Sequence, residues 1–284
     1  MDTTQLAQRP WAAVLERCPV EEIETAAGRL TLRRAGVGPD LVLLHGIGSG
    51  AASWAWQLDG LADRCRLTAW NAPGYGGSAL PATDWPDAGD YAAALDAVMS
   101  ALAIEHCVLV GHSLGALIAA RLAAEHPERI AGLVLANPAA GHGRFDPADR
   151  RRRLEERIGR FHELGAVAHA AARAPRLLSP DAAPDQLALV RYNLERLDDA
   201  GYLKAARLLA DGDIFADVAR IDRPALVLCG ADDGITPPAG CRAVADAFPR
   251  HCPFIEIPGA GHVSYVEAPA RFNAILGDFV EDLS

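Results

Sequence analysis

Positive charge is scarce in this chain. Its 27 Lys and Arg stand against 37 Asp and Glu, a formal charge of -10, which argues against a surface built for nucleic acid or an anionic membrane. Cysteine never occurs as CxxC. Cys18, Cys65, Cys107, Cys229, Cys241 and Cys252 are scattered, so no disulfide framework and no zinc site are expected, and reduced thiols point to a cytoplasmic protein. There is no HxxxH pair and no acidic cluster of the kind that holds a metal, so neither metal nor cofactor is expected. No apolar run approaches membrane-spanning length. The opening MDTTQLAQRPWAAVLERCP carries an acid at position 2 and lacks the basic and apolar regions of a signal peptide. Internal repeats are also missing.

What is present suits a globular α/β protein: 284 residues, half of them hydrophobic, are enough for a large core. VEEIETAAGRLTLRR alternates in the manner of a hairpin, Val20 to Thr25 and Leu30 to Arg33, turning around Ala27 and Gly28. The pattern then changes to continuous apolar runs: 41–46, 66–74, 107–113, 132–138, 224–230 and 253–259, each ending in glycine, proline or a polar turn. Such runs alternating with helical segments predict a mostly parallel sheet covered on both faces. About 86 residues separate Pro138 from Pro224, too many for a connection without structure of its own. Leu154, Ile158 and Phe161, then Leu187, Val190, Leu194 and Leu197, recur at helical spacing, while Pro175, Pro180 and Pro184 interrupt. A helical lid over 141–212 is expected, inserted into a core of 1–140 and 213–284.

LVGHSLG, residues 109 to 115, sets a serine between glycines where an apolar strand meets an alanine- and leucine-rich helix. GHSLG fits GxSxG, the turn that pushes a nucleophilic hydroxyl out at the carboxyl end of a sheet; the competing reading is a glycine-flanked turn whose serine caps the helix. A serine nucleophile needs a histidine base oriented by a carboxylate. Asp232 and Asp233 follow the run PALVLCG, and His262 follows PFIEIPG. LLHGIGSG ends an early strand with backbone able to approach a developing oxyanion, which makes the amides of Ile47 and Leu114 the candidate donors.

HGIG, NAPGYGGS, GHSLG, GADDGITP and GAGHVSYVEAP stand in one order along nearly the whole chain, and in this the chain resembles the α/β-hydrolase superfamily. The resemblance implies an α/β-hydrolase fold and a catalytic set of Ser113, Asp233 and His262, since the family's GxxDxxxP context aligns Gly230 and Pro237 and selects Asp233 over Asp232. From Leu154 onward the chain is most similar to 3-oxoadipate enol-lactonases and related small-molecule hydrolases, through RIGRFHELG, the run from Asp199 to Leu228 and EAPARFNAILGDF. It departs from them in carrying Leu114 where methionine is usual and in having no tryptophan in the lid; Trp11, Trp54, Trp56, Trp70 and Trp85 all precede it. What this implies is a cofactor-independent serine hydrolase of a small ester or lactone, with carbon–carbon bond hydrolysis on the same residues, or a ligand-sensing protein of this fold, as the alternatives. A small-molecule substrate, no nucleic acid and no membrane are expected, with a homodimer left open.

Other residues carry weaker signals. His45 and His112, beside the oxyanion loop and the serine, are candidates for shaping the pocket; His106, His126 and His251 belong to surfaces or helix ends, and His142, His162 and His169 to the lid region. Asn71 is read as an Asx-type turn before Pro73. Arg150 to Arg153, followed by Glu155 and Glu156, is read as a solvated helix face, with carboxylate binding as the competing role.

Overall fold

Eight strands pair in the order β1-β2-β4-β3-β5-β6-β7-β8 in the computed structural model, which describes residues 9–283. The first eight residues and Ser284, part of the expected core and of the expected leaderless N-terminus, lie outside the described residues. The strands are β1 (Glu21–Thr25), β2 (Gly28–Ala35), β3 (Asp40–Leu44), β4 (Arg66–Asn71), β5 (Cys107–His112), β6 (Ile130–Ala136), β7 (Ala225–Gly230) and β8 (Phe254–Ile257). β1 joins β2 and β2 joins β4 antiparallel; every other pairing is parallel. Strands β5 and β7 are buried at every residue, and this explains their unbroken apolar sequences: with helices on both faces, neither side of the strand meets water.

The opening hairpin is present with its turn one residue earlier than expected. Thr25 pairs with Gly28, leaving Ala26 and Ala27 in the turn, because the Thr25 hydroxyl bonds both the Gly28 carbonyl and the Ala27 amide and closes the chain there. Helices Ala88–Ala101, Leu114–Glu125, Ile214–Val218 and Pro238–Asp246 pack in sequence on one another, and Pro10–Arg17, Ala55–Gly60 and Pro269–Glu281 form a second group. Between the groups lies the sheet. The six cysteines are buried and unpaired.

Between β6 and β7 the chain leaves the sheet and forms helices Pro147–Arg173, Pro184–Leu194 and Asp199–Asp211 with a short 3-10 turn, Ala174–Leu177. The first is broken at Gly165, whose φ and ψ of 66 and 167 are not helical. Its two stems are stitched together: His142 N–H donates to Leu209 O, Gly143 N–H to Gly212 O, and Ile214 N–H to Ala140 O. Leu154, expected in a common apolar face with Phe161, packs instead with Ile158, Ala206 and Ala210 in a small separate cluster, while Phe161 joins the main core. The division falls before the break at Gly165, on one helical stretch whose faces meet different neighbours. Among the described residues no helix is long and apolar enough to cross a membrane.

Candidate active site

Ser113 stands between the last residue of β5 and the first of helix Leu114–Glu125, with φ 54 and ψ -114. A non-glycine residue in that region is strained, by roughly 1–3 kcal/mol, and tight packing on both sides holds it there. A methyl group on Gly111 would lie 2.5 Å from Gly115 O, and one on Gly115 would lie 2.6 Å from Leu44 O. Helix, β3 and β5 therefore approach so closely that only glycine fits, and the serine at the apex has no other way to turn. It makes no side-chain cap on the helix, which removes the capping reading. Its hydroxyl turns instead to His262.

Ser113 Oγ lies 3.0 Å from His262 Nε2, and His262 Nδ1 lies 2.9 Å from Asp233 Oδ2. The three follow β5, β7 and β8, parallel strands of one sheet, with β6 between β5 and β7, whose carboxyl ends open on one side. Asp233 is buried, whereas Asp232 is exposed. Five donors converge on the Asp233 carboxylate: Oδ2 accepts from His262 Nδ1, from Asn137 Nδ2 at 2.8 Å and from Thr236 Oγ1 at 2.7 Å, and Oδ1 accepts from the amides of Ile235 at 2.7 Å and Thr236 at 3.0 Å. Burial by itself pushes this carboxyl up, but the bonds and charge of His262, with Asn137 and the Thr236 amide, outweigh it and hold the carboxyl well below the usual carboxylate range. The geometry gives a permanently ionised carboxylate that fixes the proton of the imidazole on Nδ1 and leaves Nε2 bare to accept from serine.

The candidate oxyanion loop is held from behind. Ala72 N–H donates to His45 Nε2 at 3.0 Å, which leaves the ring proton on Nδ1, and Nδ1 lies 2.9 Å from Gly46 O. A trans peptide directs its N–H opposite to its C=O, so anchoring Gly46 O turns the Ile47 N–H to the other side of the loop. Tyr75 OH likewise donates to Ile47 O at 2.9 Å. Burial lowers His45 to about 4, keeping it neutral. His112 Nε2 bonds the His262 carbonyl at 2.8 Å, and burial first, then the nearby His262 charge, lowers it to about 3.

Ser113, His262, Ile47 and Leu114 line a cavity of about 350 Å³. Its other walls are largely apolar, with Leu177, Leu189, Val190 and Leu194 from the excursion facing Pro138, Val263 and Val266 from the core. His112, His142 and His169 also line it, while His106, His126 and His251 are exposed and His162 pairs on the surface with Asp199. Among the described residues no group of three or more His, Cys, Asp or Glu is placed to hold a metal ion.

Asn71 departs from its expected role. Rather than closing an Asx turn, its Oδ1 accepts from Ala51 N–H and its Nδ2 donates to Thr31 Oγ1, so it ties the end of β4 to β2 and to the segment after the oxyanion loop. The sequence reading missed Asn137 and Thr236 as well. Asn137 is wholly buried at φ 46, donating to Asp233 while its Oδ1 accepts from Ser264 Oγ. A polar residue ending an apolar strand next to the one that delivers the acid was the only available sign. Glu267, also unremarked, accepts from the amides of Ser179 and Gly261 and so binds the excursion to the His262 loop.

The sheet order, the strained serine at the end of β5 and the carboxylate and histidine that follow β7 and β8, the last two parallel strands, define a hydrolase of α/β type. The family described as alpha/beta hydrolase fold matches residues 39–269, and the chain belongs to it. A protein of Klebsiella pneumoniae subsp. pneumoniae provisionally named carbamate hydrolase RutD is 31% identical over 254 residues, 84% of this chain and 90% of that protein. The enol-lactonase from Burkholderia xenovorans LB400 superposes with a TM-score of 0.82 at 26% identity, covering 92% of this chain and all of the other, at 100%. A thermophilic esterase from Thermogutta terrifontis superposes with a TM-score of 0.83 at 25% identity, over 93% and 99% of the two chains.

Proposed function

We propose that the chain is a serine hydrolase of small esters or lactones. Ser113 Oγ attacks the carbonyl carbon as His262 Nε2 takes its proton; Asp233 holds the imidazole and offsets the charge it acquires. The amides of Ile47 and Leu114 donate to the oxyanion of the tetrahedral intermediate, which collapses as His262 returns the proton to the leaving oxygen. Water then attacks the acyl-enzyme by the same steps in reverse. The observation that carries this reading is the unbroken hydrogen-bonded line Ser113–His262–Asp233, at 3.0 and 2.9 Å. Helices over 141–212 act as a lid, excluding water and setting which acyl groups fit, and the size of the cavity suits a small substrate.

A carbamate is the second reading, favoured by the 31% identical relative and its name. It presents the same kind of carbonyl, so the chemistry is unchanged and the leaving group differs. The test is turnover of an activated ester, a simple lactone and an aryl carbamate by the wild type and Ser113→Ala. The wild type turns over repeatedly with no partner added, and Ser113→Ala loses at least roughly a thousandfold in kcat/KM while melting normally, because nucleophile and base act as a unit. Retention of most activity by Ser113→Ala removes the mechanism; a single slow turnover favours a ligand sensor.

A further inference from the structure

Beside the cavity of Ser113 lies a second chamber of about 280 Å³, and the two share His142, Arg157, His169, Arg173 and Tyr202 as walls. The outer chamber is further lined by Arg153, Arg160 and Arg176 and by one acid, Glu156. Glu156 is engaged outside by Arg152 at 3.1 Å. Several other arginines of this region have carboxylate partners: Arg144 with Asp213, Arg150 with Asp211, and Arg152 with Asp149 as well as Glu156. Among the described residues no carboxylate forms an ion pair with Arg153, Arg157, Arg160, Arg173 or Arg176. Arg153 lies over the Phe145 ring and Arg157 reaches only the Tyr202 hydroxyl, at 3.5 Å. In a chain of net charge -10, five guanidinium groups with no ion-pair partner around one chamber that holds a single acid are a local arrangement that overall composition does not supply.

Their mutual repulsion is visible in their neighbours. Arg173 is lowered from its ordinary value by burial first and then by the charges of Arg157, Arg176 and Arg160. His142, lowered to about 4, and His169 are kept neutral by burial first and by these same guanidinium groups second. Gathering like charges costs free energy that a bound anion returns, and a planar guanidinium suits an oxyanion through two parallel bonds. One carboxylate offsets one of five positive charges.

We propose that the outer chamber binds a group bearing two or more negative charges, a phosphate or a dicarboxylate, at the end of the substrate that projects from the cavity of Ser113. Its assignment to substrate rests on the hydrolase reading above, because the two chambers share their wall; the binding of the anion does not. The anionic end is thus held away from the apolar walls around Ser113, and the reacting carbonyl is the uncharged end.

The test titrates the full-length wild type with pyrophosphate, inorganic phosphate, malonate and acetate at one ionic strength by calorimetry, and measures each as an inhibitor of hydrolysis of a neutral ester. Pyrophosphate, with phosphate, malonate or both, binds at least tenfold more tightly than acetate and inhibits competitively; whichever of phosphate and malonate is preferred names the source of the charge. Arg157→Gln and Arg173→Gln each weaken binding about tenfold, the effect of one lost charge-assisted bond. Arg173 is partly buried, so the double variant Arg160→Gln/Arg176→Gln, at exposed positions, serves as the control that folds; it weakens pyrophosphate more than acetate. Equal affinity for all four anions, or binding untouched in every arginine variant, overturns the proposal and leaves a solvated basic surface. A protein that binds these anions through its arginines but turns over no ester keeps the site and loses the hydrolase reading, and one that turns over esters without discriminating the anions does the opposite.

Discussion

Asp233→Asn replaces a carboxylate that receives five hydrogen bonds with an amide that can receive them on one oxygen only. The Ile235 and Thr236 amides, at 2.7 and 3.0 Å from Oδ1, belong to the backbone and cannot reorient, so the amide oxygen takes that position and the NH2 group takes the place of Oδ2. There it faces His262 Nδ1, Asn137 Nδ2 and Thr236 Oγ1. The Thr236 hydroxyl can rotate to accept. The imidazole adapts only by giving up its Nδ1 proton, and that moves the ring proton to Nε2, 3.0 Å from Ser113 Oγ. A serine facing an N–H has no base, and the wrong tautomer costs about ten-thousandfold in turnover. Asp232 is exposed, so Asp232→Asn changes stability by no more than about 0.5 kcal/mol and leaves the rate near that of the wild type. The assay is kcat/KM on a neutral activated ester, with a melting curve for each variant to separate lost chemistry from lost fold. If Asp233→Asn keeps more than about a tenth of the activity, or if Asp232→Asn is the more damaged of the two, the assigned role of this carboxylate is wrong.

Gly115→Ala forces a methyl group to within 2.6 Å of Leu44 O and 2.8 Å of His45 O; a loss of about 1–3 kcal/mol in urea unfolding is expected, accompanied by reduced turnover because the displaced backbone leads into the oxyanion loop. Asn71→Ala strands the Ala51 amide in the core and removes one bond to the Thr31 hydroxyl, which keeps Gly76 O, for an expected loss of about 1–3 kcal/mol in the same measurement, where an unchanged unfolding midpoint refutes the tie between β4 and the loop. The buried histidines make stability depend on pH. His45 falls from 6.5 to about 4 on folding and His112 to about 3, so the folded state prefers them neutral; their contribution is complete above pH 6.5 and is lost as the pH falls toward 4, on the order of 3–5 kcal/mol each. The depressed Asp233 carboxyl acts only below this window, so a urea midpoint that falls between pH 7 and pH 4.5 in the wild type and falls less in His45→Gln supports the account, and equal slopes refute it.

The sheet was legible because its demands are local. β5 and β7 are buried at every residue, and a strand closed off from water on both faces needs nothing but apolar side chains, a pattern visible in a window of six residues. The hairpin turn was misplaced by one residue for the opposite reason: two consecutive alanines and a glycine leave the backbone several ways to turn, and the Thr25 hydroxyl decides among them. Leu154 and Ile158 share helical spacing with Phe161, but periodicity cannot see that residues on one helical stretch meet different neighbours, nor that the helix breaks further on, at Gly165.

The site divides along the same line. Ser113, Asp233 and His262 sit at strand ends in contexts whose spacing is itself the signal, and the structure brings the three within hydrogen-bonding distance. Asn137 and the His45 ring act through convergence: each lies on a segment of its own, and what makes it matter is a bond to a residue on another. Asn137 and Asp233 are 96 positions apart in sequence, and nothing about either marks the other. The outer arginines are the extreme case. Arg150 and Arg152 have carboxylate partners and Arg157 has none, although all three lie on the helical stretch before Gly165, which is rich in both charges; Arg173, beyond the break, has none either. The charge pattern predicts pairs along a helix face, and it does so correctly for Arg152 with Glu156. It says nothing about which guanidinium groups on either side of the break at Gly165 line one chamber, and that is settled by packing alone. A residue whose role depends on what it lacks, here a counter-charge, cannot be recognised until its whole surroundings are known.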